Sequence, residues 1–555
     1  MVDCAKPPGA FTGSVARRKG ARAAEWDGLE NRCGCMPTVG SNPTPSATRL
    51  AVIHRYLTAV DDLGSLQVDG RSVRSRLQNE ADDLWFASTV RESSLWTDDR
   101  LFERLELLTG NSQKTRPSST TSVTSRLRVA AVWCRALAHS LRTRRRTDPT
   151  EVMFVEYLPP TYTAGRHGES QYFGNLPTEV RRLGRSVGFL HIHSEGPVTR
   201  APREIRKLRR QLSTKSSPHV LLTDYFTFGV WWKAFRSWRA LQQHAPSISQ
   251  IDSSLIPGTD LSFLWPTWRS MYDESVRGTH SVRTSLLTAM FREALRKNKE
   301  TVVWLSAFEG QSWEATFARN IQRSSATWIP YLHTMLRPWD LRARTFVKEF
   351  PPHLLAVHGQ HDHSELESLH PSLVLVEALR YGHLAAESGQ KRPPRFDDTR
   401  WLIVGGAECD RSNRELQEVL TAMRLQSVTP HVVIKWHPQC GAPTVELPDN
   451  ASVSGEPLAS LIDKTSVALM VGSAAPLDTY LRGIPSCSLR TPSGFSMTPV
   501  EESENFHTAR DASDAVSWLL AAQSKPSFTP PVERYFSLDA ALPRWRSLLA
   551  SVLAD

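Results

Sequence analysis

The chain has 555 residues and a mass of 62.3 kDa. At about 100–200 residues per domain, two large units and an appendage are expected. Hydrophobic residues make up 40% and charged residues 22%, which excludes a wholly disordered chain. The net charge, 67 − 57 = +10, and a pI near 9.3 suit anionic partners: nucleotides, phosphosugars, nucleic acid or an acidic membrane face. Seven cysteines exclude a disulfide scaffold and point to a reducing compartment. No apolar run approaches the ~20 residues of a membrane span, so a soluble, cytoplasmic protein is expected.

Residues Met1–Ala47 show neither helical nor strand periodicity and no apolar signal-peptide core. Gly40-Ser41-Asn42-Pro43 and Leu29-Glu30-Asn31-Arg32 back-translate to the T-loop and anticodon arm of a tRNA gene. Residues 1–47 are therefore expected to be a non-native or disordered extension, with the authentic start near Leu50 or Val52. Cys33-Gly34-Cys35 is accordingly not read as a metal site. From 48 to 148 the spacing of Val52, Ile53, Tyr56, Leu57, Val60 and Leu63, then of Leu101, Leu105 and Leu108, predicts helix. Asn111–Ser125 reads as a loop. Helix resumes over Val129–Leu141 and ends in the basic run Arg142–Arg146, read first as a solvated helix end.

Beyond it, short apolar runs alternate with room for helices: Val152–Val155, Val187–Ile192, His219–Thr223, Thr301–Leu305, Thr327–Leu332 and Leu354–Val357. Such runs predict strands buried on both faces of a parallel sheet. Lys391-Arg392-Pro393-Pro394-Arg395 is a linker, and the alternation restarts after it. Strands are expected at Trp401–Val404, His431–Ile434, Val467–Val471 and Ser486–Leu489. Helices are expected at Arg414–Met423, Pro457–Ile462 and Pro476–Arg482. The predicted fold is α/β, two Rossmann-like lobes over 149–390 and 396–555 behind an N-terminal helical region. Ligands of open α/β sheets lie beyond the carboxyl ends of the strands.

Two groups of residues sit at such ends. In the second lobe Lys435-Trp436-His437-Pro438 follows a strand, and Gly472-Ser473-Ala474-Ala475 leads from the next into a helix carrying Asp478. A cation, a histidine, a glycine turn and a helix start suit a phosphate, and Asp478 suits ribose hydroxyls. In the first lobe Glu309 and His333 each follow a strand, and each is a candidate base for a hydroxyl proton. The alternatives are a helix-start carboxylate for Glu309 and a satisfied loop histidine for His333. Trp313 and Trp339 are read as packing before sugar stacking.

The segment Lys435–Pro438, followed by Gly472–Ala475, Asp478 and Gly483-Ile484-Pro485, resembles the nucleotide-sugar half of GT-B glycosyltransferases carrying a Lys-x-His-Pro motif. Phe308–Glu314, Tyr331–Thr334, Val376–Tyr381 and Tyr172–Pro177 are similar to bacterial surface carbohydrate (O-antigen and capsule-type) biosynthesis proteins. Leu332 and Ala474 depart from the pattern, which has Gln and a second Ser or Thr there. The resemblance implies transfer of a sugar from a nucleotide-sugar donor to a growing surface polysaccharide or lipid-linked acceptor. It places the donor on Lys435, His437, Pro438, Gly472, Ser473, Ala474 and Asp478, and the acceptor near Gln311, Trp313 and Glu314. Catalysis would fall to Glu309 and His333. No Asp-x-Asp motif marks a strand end, so no metal or other cofactor is expected. An epimerase or polyol-phosphate transferase of the same shape stays open, as does a non-enzymatic basic scaffold, although nucleic acid is not the expected partner.

Two further signals are weaker. His358, His361, His363 and His370 cluster with Asp362 and Glu365; a solvated loop, or a phosphate contact by His358, is favoured over a metal. Arg181–Lys215 holds ten basic residues against two acidic, either a solvated face or a contact with an anionic membrane's inner surface.

Overall fold

A computed structural model describes residues 55–78, 85, 123–141, 149–158, 170, 172–193, 217–322, 324–336, 341–384, 400–406, 409–437, 440–471, 476–489, 498–525 and 528–554. The expected 1–47 extension, the linker Lys391–Arg395, the run Arg142–Arg146 and Trp339 lie outside the described residues, as does most of Arg181–Lys215.

The described N-terminal region begins with a helix over 55–65 and a small hairpin, β1 (Gln67–Val68) against β2 (Arg71–Ser72). Helices Val73–Leu77 and Val123–Ser140 follow. The first large sheet holds β3 (Val152–Leu158), β4 (Val187–His193), β5 (His219–Leu221), β6 (Val303–Phe308), β7 (Thr327–Leu332), β8 (Leu355–Val357) and β9 (Leu373–Leu375). Its order is β5-β4-β3-β6-β7-β8-β9, every neighbouring pair parallel. The second holds β10 (Arg400–Gly405), β11 (His431–Lys435), β12 (Ala451–Val453), β13 (Val467–Val471), β14 (Ser486–Leu489) and β15 (Phe506–Ala509). Its order is β12-β11-β10-β13-β14-β15, again parallel throughout. Counted within each sheet, both run 3-2-1-4-5-6, the doubly wound Rossmann order, and the first adds a seventh strand. The chain is therefore α/β with two Rossmann-like lobes and helices N-terminal to them. Strands β3, β6 and β13 are buried along their whole length, which is why β13 reads as an unbroken apolar run and β3 and β6 as runs interrupted only by Glu156 and Ser306.

Two features were not anticipated. Between β5 and β6 stand four helices, Phe228–His244, Ile248–Ser254, Asp260–Arg277 and Thr279–Lys297. The first three start at Thr227, Ser247 and Thr259, whose hydroxyls accept from backbone N–H groups three residues on. Leu241, Leu264, Trp265 and Trp268 of this insertion share a core with Tyr56, Leu63 and Leu77 of the N-terminal region. The second feature is the path of the C-terminal segment. The last helix, Pro543–Ala554, leaves the second lobe and buries Trp545, Leu549 and Leu553 in the first lobe's core. Glu377 receives it by accepting from the N–H groups of Arg544 (3.0 Å) and Trp545 (3.1 Å). Gly359 makes room for this return: a Cβ there would lie 1.8 Å from the carbonyl oxygen of Tyr535.

Candidate active site

In the second lobe the strand ends are level. Val404 pairs with Lys435 and Gly405 with Val471, so the loops after β10, β11 and β13 leave one edge together. The order reverses between β10 and β13, the switch point at which such sheets bind ligands. Lys435 and His437 are half-buried there, and buried Trp436 lies across the end of β10. Gly405 permits that crossing, because a Cβ would sit 2.6 Å from the indole. Burial lowers the His437 pKa below the ordinary histidine range, so near neutral pH it offers a hydrogen bond without a charge and Lys435 supplies the cation. Ser412, which the sequence reading missed, joins the two central strands: its hydroxyl accepts from Gly406 N–H at 3.0 Å and lies 3.3 Å from the Val471 carbonyl. Asp478 is half-buried on the helix after β13. Pro438, Gly472, Ser473 and Ala474 lie outside the described residues.

One disulfide stands beside this site although the cysteine count points to a reducing compartment. Cys409 and Cys440 form a disulfide, with Cα atoms 5.5 Å apart. They stand 31 residues apart in sequence, and the parallel pairing of β10 with β11 brings the loops that carry them together. Cys440 N–H donates to the His437 carbonyl at 3.0 Å, so the disulfide anchors the turn that holds His437.

In the first lobe Phe308 pairs with Leu332, so Glu309 and His333, each one residue beyond, emerge side by side. His333 Nε2 lies 3.7 Å from Glu309 Oε1, and Gln311 Nε2 donates to Glu309 Oε2 at 2.5 Å. Gly310, at φ +70°, makes the left-handed turn between them, a conformation costly for other residues. Both candidate bases are more enclosed than a cleft-rim position implies: Glu309 is 5% exposed and His333 1%. Burial pushes the His333 pKa well below the ordinary range, and Arg380 and His358 push the same way. The imidazole is therefore neutral. Tyr172 packs edge-on against it at 5.1 Å.

Gln311, Trp313 and Glu314, expected near the acceptor, all make contacts within the protein at the start of helix Ser312–Ile321. Glu314 Oε2 accepts from Gln311 N–H at 2.5 Å, and both its oxygens lie 3.3 Å from Glu309 N–H. This is a capping box. Burial holds the Glu314 carboxyl well above the carboxylate range, and the Glu309 charge adds to the effect. Trp313 is core: it stacks on Phe291 at 4.5 Å, and its indole N–H donates to Tyr157 Oη at 2.8 Å. Arg380, quoted above only within a motif, is exposed yet close enough to bias His333.

The histidine cluster is not a solvated loop. His358 is buried against Asp362 (Nε2 to Oδ2, 3.1 Å), with its pKa lowered to about 3 by burial. His361 and His370 bond to the carbonyls of Leu336 (3.0 Å) and Pro352 (2.8 Å). Among the described residues no group of His, Cys, Asp and Glu could hold a metal ion. A second buried polar chain runs beneath the β3–β5 end: Ser170 Oγ donates to Glu156 Oε2, His191 Nδ1 lies 3.3 Å from Glu156 Oε1, and His191 Nε2 lies 2.8 Å from His219 Nδ1. Burial raises the Glu156 pKa to about 8.

No protein-family model matches the chain, and no curated protein matches it. Similar solved structures include a UDP-GlcNAc 2-epimerase from Methanocaldococcus jannaschii, 9% identical over 73% of this chain and 99% of that one, at a TM-score of 0.41. The calicheamicin glycosyltransferase CalG4 is 12% identical over 73% and 94%, at 0.36. A glycosyltransferase from Rickettsia africae is 8% identical over 73% and 99%, at 0.39. Likenesses of this degree carry no argument about activity. The strand order of the two sheets establishes two Rossmann-like lobes.

Proposed function

We propose that this chain is a glycosyltransferase that takes a sugar from a nucleotide-sugar donor and joins it to a saccharide hydroxyl, as in building a surface polysaccharide or lipid-linked glycan. The observation that supports this most is the pairing of two strand-end sites. One carries a cation and an uncharged histidine, and the other a carboxylate beside a neutral imidazole. In this reading the nucleotide lies on the second lobe along Lys435, His437 and Asp478, with Pro438 and the Gly472-Ser473-Ala474 turn completing its site. Lys435 and the His437 hydrogen bond offset charge growing on the departing phosphate. Glu309, oriented by the Gln311 amide, takes the proton of the acceptor hydroxyl. His333, held neutral by burial and 3.7 Å from Glu309 Oε1, lines the same strand end and leaves the proton on Glu309.

Calorimetry against CMP-, CDP-, UDP-, GDP- and dTDP-sugars, followed by product analysis, tests the proposal. Saturable binding of one donor and a new glycosidic bond are expected. An epimerised nucleotide sugar or a phosphodiester product overturns glycosyl transfer, and the absence of binding to every donor overturns the donor site.

A further inference from the structure

Helices Val123–Ser140 and Phe228–His244 lie against each other: Trp133 packs on Trp231, Phe235 and Trp238 with ring centroids 5.2–6.2 Å apart, and Trp231 Nε1 donates to the Trp133 carbonyl at 3.2 Å. Neither helix contains a single Asp or Glu. Phe228, Trp232, Arg236 and Arg239 recur at helical spacing and are all exposed, which places them on one stripe. Phe228 is 51% and Trp232 45% exposed, and on the neighbouring helix Leu127 is 67% exposed, with Leu141 just past its end at 70%. Arg128 and Arg135 stand on that helix's exposed side. No ion pair involves Arg128, Arg135, Arg236 or Arg239 among the described residues.

A face that keeps large aromatic and aliphatic side chains in water and flanks them with unpaired arginines is unfavourable for a protein surrounded only by water. It fits a surface that is apolar below and anionic above. Tryptophan and phenylalanine partition to the boundary between acyl chains and headgroups, where arginine stems lie along the apolar layer and their guanidiniums meet phosphate.

We propose that this two-helix face docks the protein on an anionic lipid bilayer. Phe228, Trp232 and Leu127 enter the headgroup boundary, while Arg128, Arg135, Arg236 and Arg239 contact acidic headgroups. The inference stands apart from the glycosyltransferase reading, since it uses none of the residues of either strand-end site.

The test is flotation of the full-length chain with vesicles of phosphatidylcholine alone or mixed with phosphatidylglycerol. Binding to the mixed vesicles, at least tenfold above the neutral ones and weakened by salt, is expected. Phe228→Ser/Trp232→Ser should lower that binding at least tenfold. Arg236→Glu/Arg239→Glu should lower it and flatten its salt dependence. Neither pair is core, so the melting temperature and the donor affinity should stay at the parent's values. Quenching of the unaltered protein's tryptophan fluorescence by bromine-labelled acyl chains needs no substitution and should reach Trp232. Equal flotation on both vesicle types, flotation indifferent to both double substitutions, or unquenched fluorescence on bound vesicles overturns the proposal. So does a face that binds polynucleotide, but not vesicles, through the same arginines.

Discussion

His437 and Glu309 divide the proposed chemistry between them, and substitution separates their parts. His437 is half-buried at a strand end and supports little core. His437→Ala should remove one hydrogen bond to donor phosphate, worth about 1–3 kcal/mol. Donor affinity then falls roughly ten- to a hundredfold, read by calorimetry, while the melting curve holds. Unchanged affinity alongside an unfolded second lobe would make the motif a structural turn. Glu309→Gln keeps shape but cannot take a proton, so turnover should fall at least tenfold with donor affinity unmoved. If His333→Asn instead costs the turnover and Glu309→Gln does not, the roles reverse. Glu156 gives a pH prediction. Its folded pKa of about 8 stands above the ordinary 4.5, so its stabilising effect is complete below pH 4.5. Between there and about pH 8 the unfolded chain has lost the proton that the folded chain keeps, and stability is lost as the pH rises. Glu156→Gln has no such proton. The variant's melting temperature should gain on the parent's steadily from pH 4.5 to 8, and a constant difference across that window would refute the assignment.

At the scale of elements, the loops after β10 and β11 are held by one covalent link. Cys409 opens the helix that follows β10, and Cys440 closes the turn from His437. Cys440→Ser, or reduction of the parent by a dithiol, should free that turn. Donor affinity is expected to drop severalfold, because binding must then order a loop the disulfide had already ordered. The strands themselves, paired on both sides and buried, should melt close to the parent. Reduction that leaves calorimetric affinity unchanged would show that the hydrogen bonds of the turn suffice. The capping box of Ser312–Ile321 shows the converse case, in which residues quoted as acceptor contacts serve the helix itself. Four unpaired N–H groups at a helix start must find acceptors, and Glu314 satisfies that need on the spot.

At the scale of the whole molecule, the lobes are joined twice, once through 385–399 and once where the C-terminal segment returns. The return is firmly seated: Ser537 N–H donates to the His358 carbonyl at 2.7 Å, Tyr381 stacks on Phe536 at 3.9 Å, and Trp545 is fully buried. An apolar cluster of Met335, Ala378, Leu477, Tyr480 and Phe536 also spans the two lobes. Closure on a donor would therefore pivot about these contacts and expel water from the strand-end sites. Saturating donor should slow proteolysis at Lys391–Arg395 and reduce the radius of gyration in small-angle scattering. If neither measurement moves, the lobes do not close.

Much of this architecture is legible in the sequence, because a strand buried on both faces is mostly apolar. Val467–Val471 was read to the residue for that reason, Thr327–Leu332 and Ser486–Leu489 were read to the residue although Thr327, Ser486 and Ser488 are polar, and the placing of Glu309, His333 and His437 just beyond strands follows from the same pattern. Short or half-exposed strands carry no such signal. Leu373–Leu375 and Ala451–Val453 became visible only where a neighbouring strand pairs with them. What a side chain does at a strand end was also undecided, since it depends on partners remote in sequence. Trp313 reads as packing before sugar stacking, and the partners that enclose it, Phe291 and Tyr157, are remote in sequence; the link between Cys409 and Cys440 appears only where β10 and β11 align. Local apolar periodicity and turn chemistry thus determined the two lobes and the position of both candidate sites. Strand order, the return of Trp545 to the first lobe and the burial of Glu309 against His333 were decided by tertiary packing, because each rests on contacts between segments that the chain itself keeps far apart.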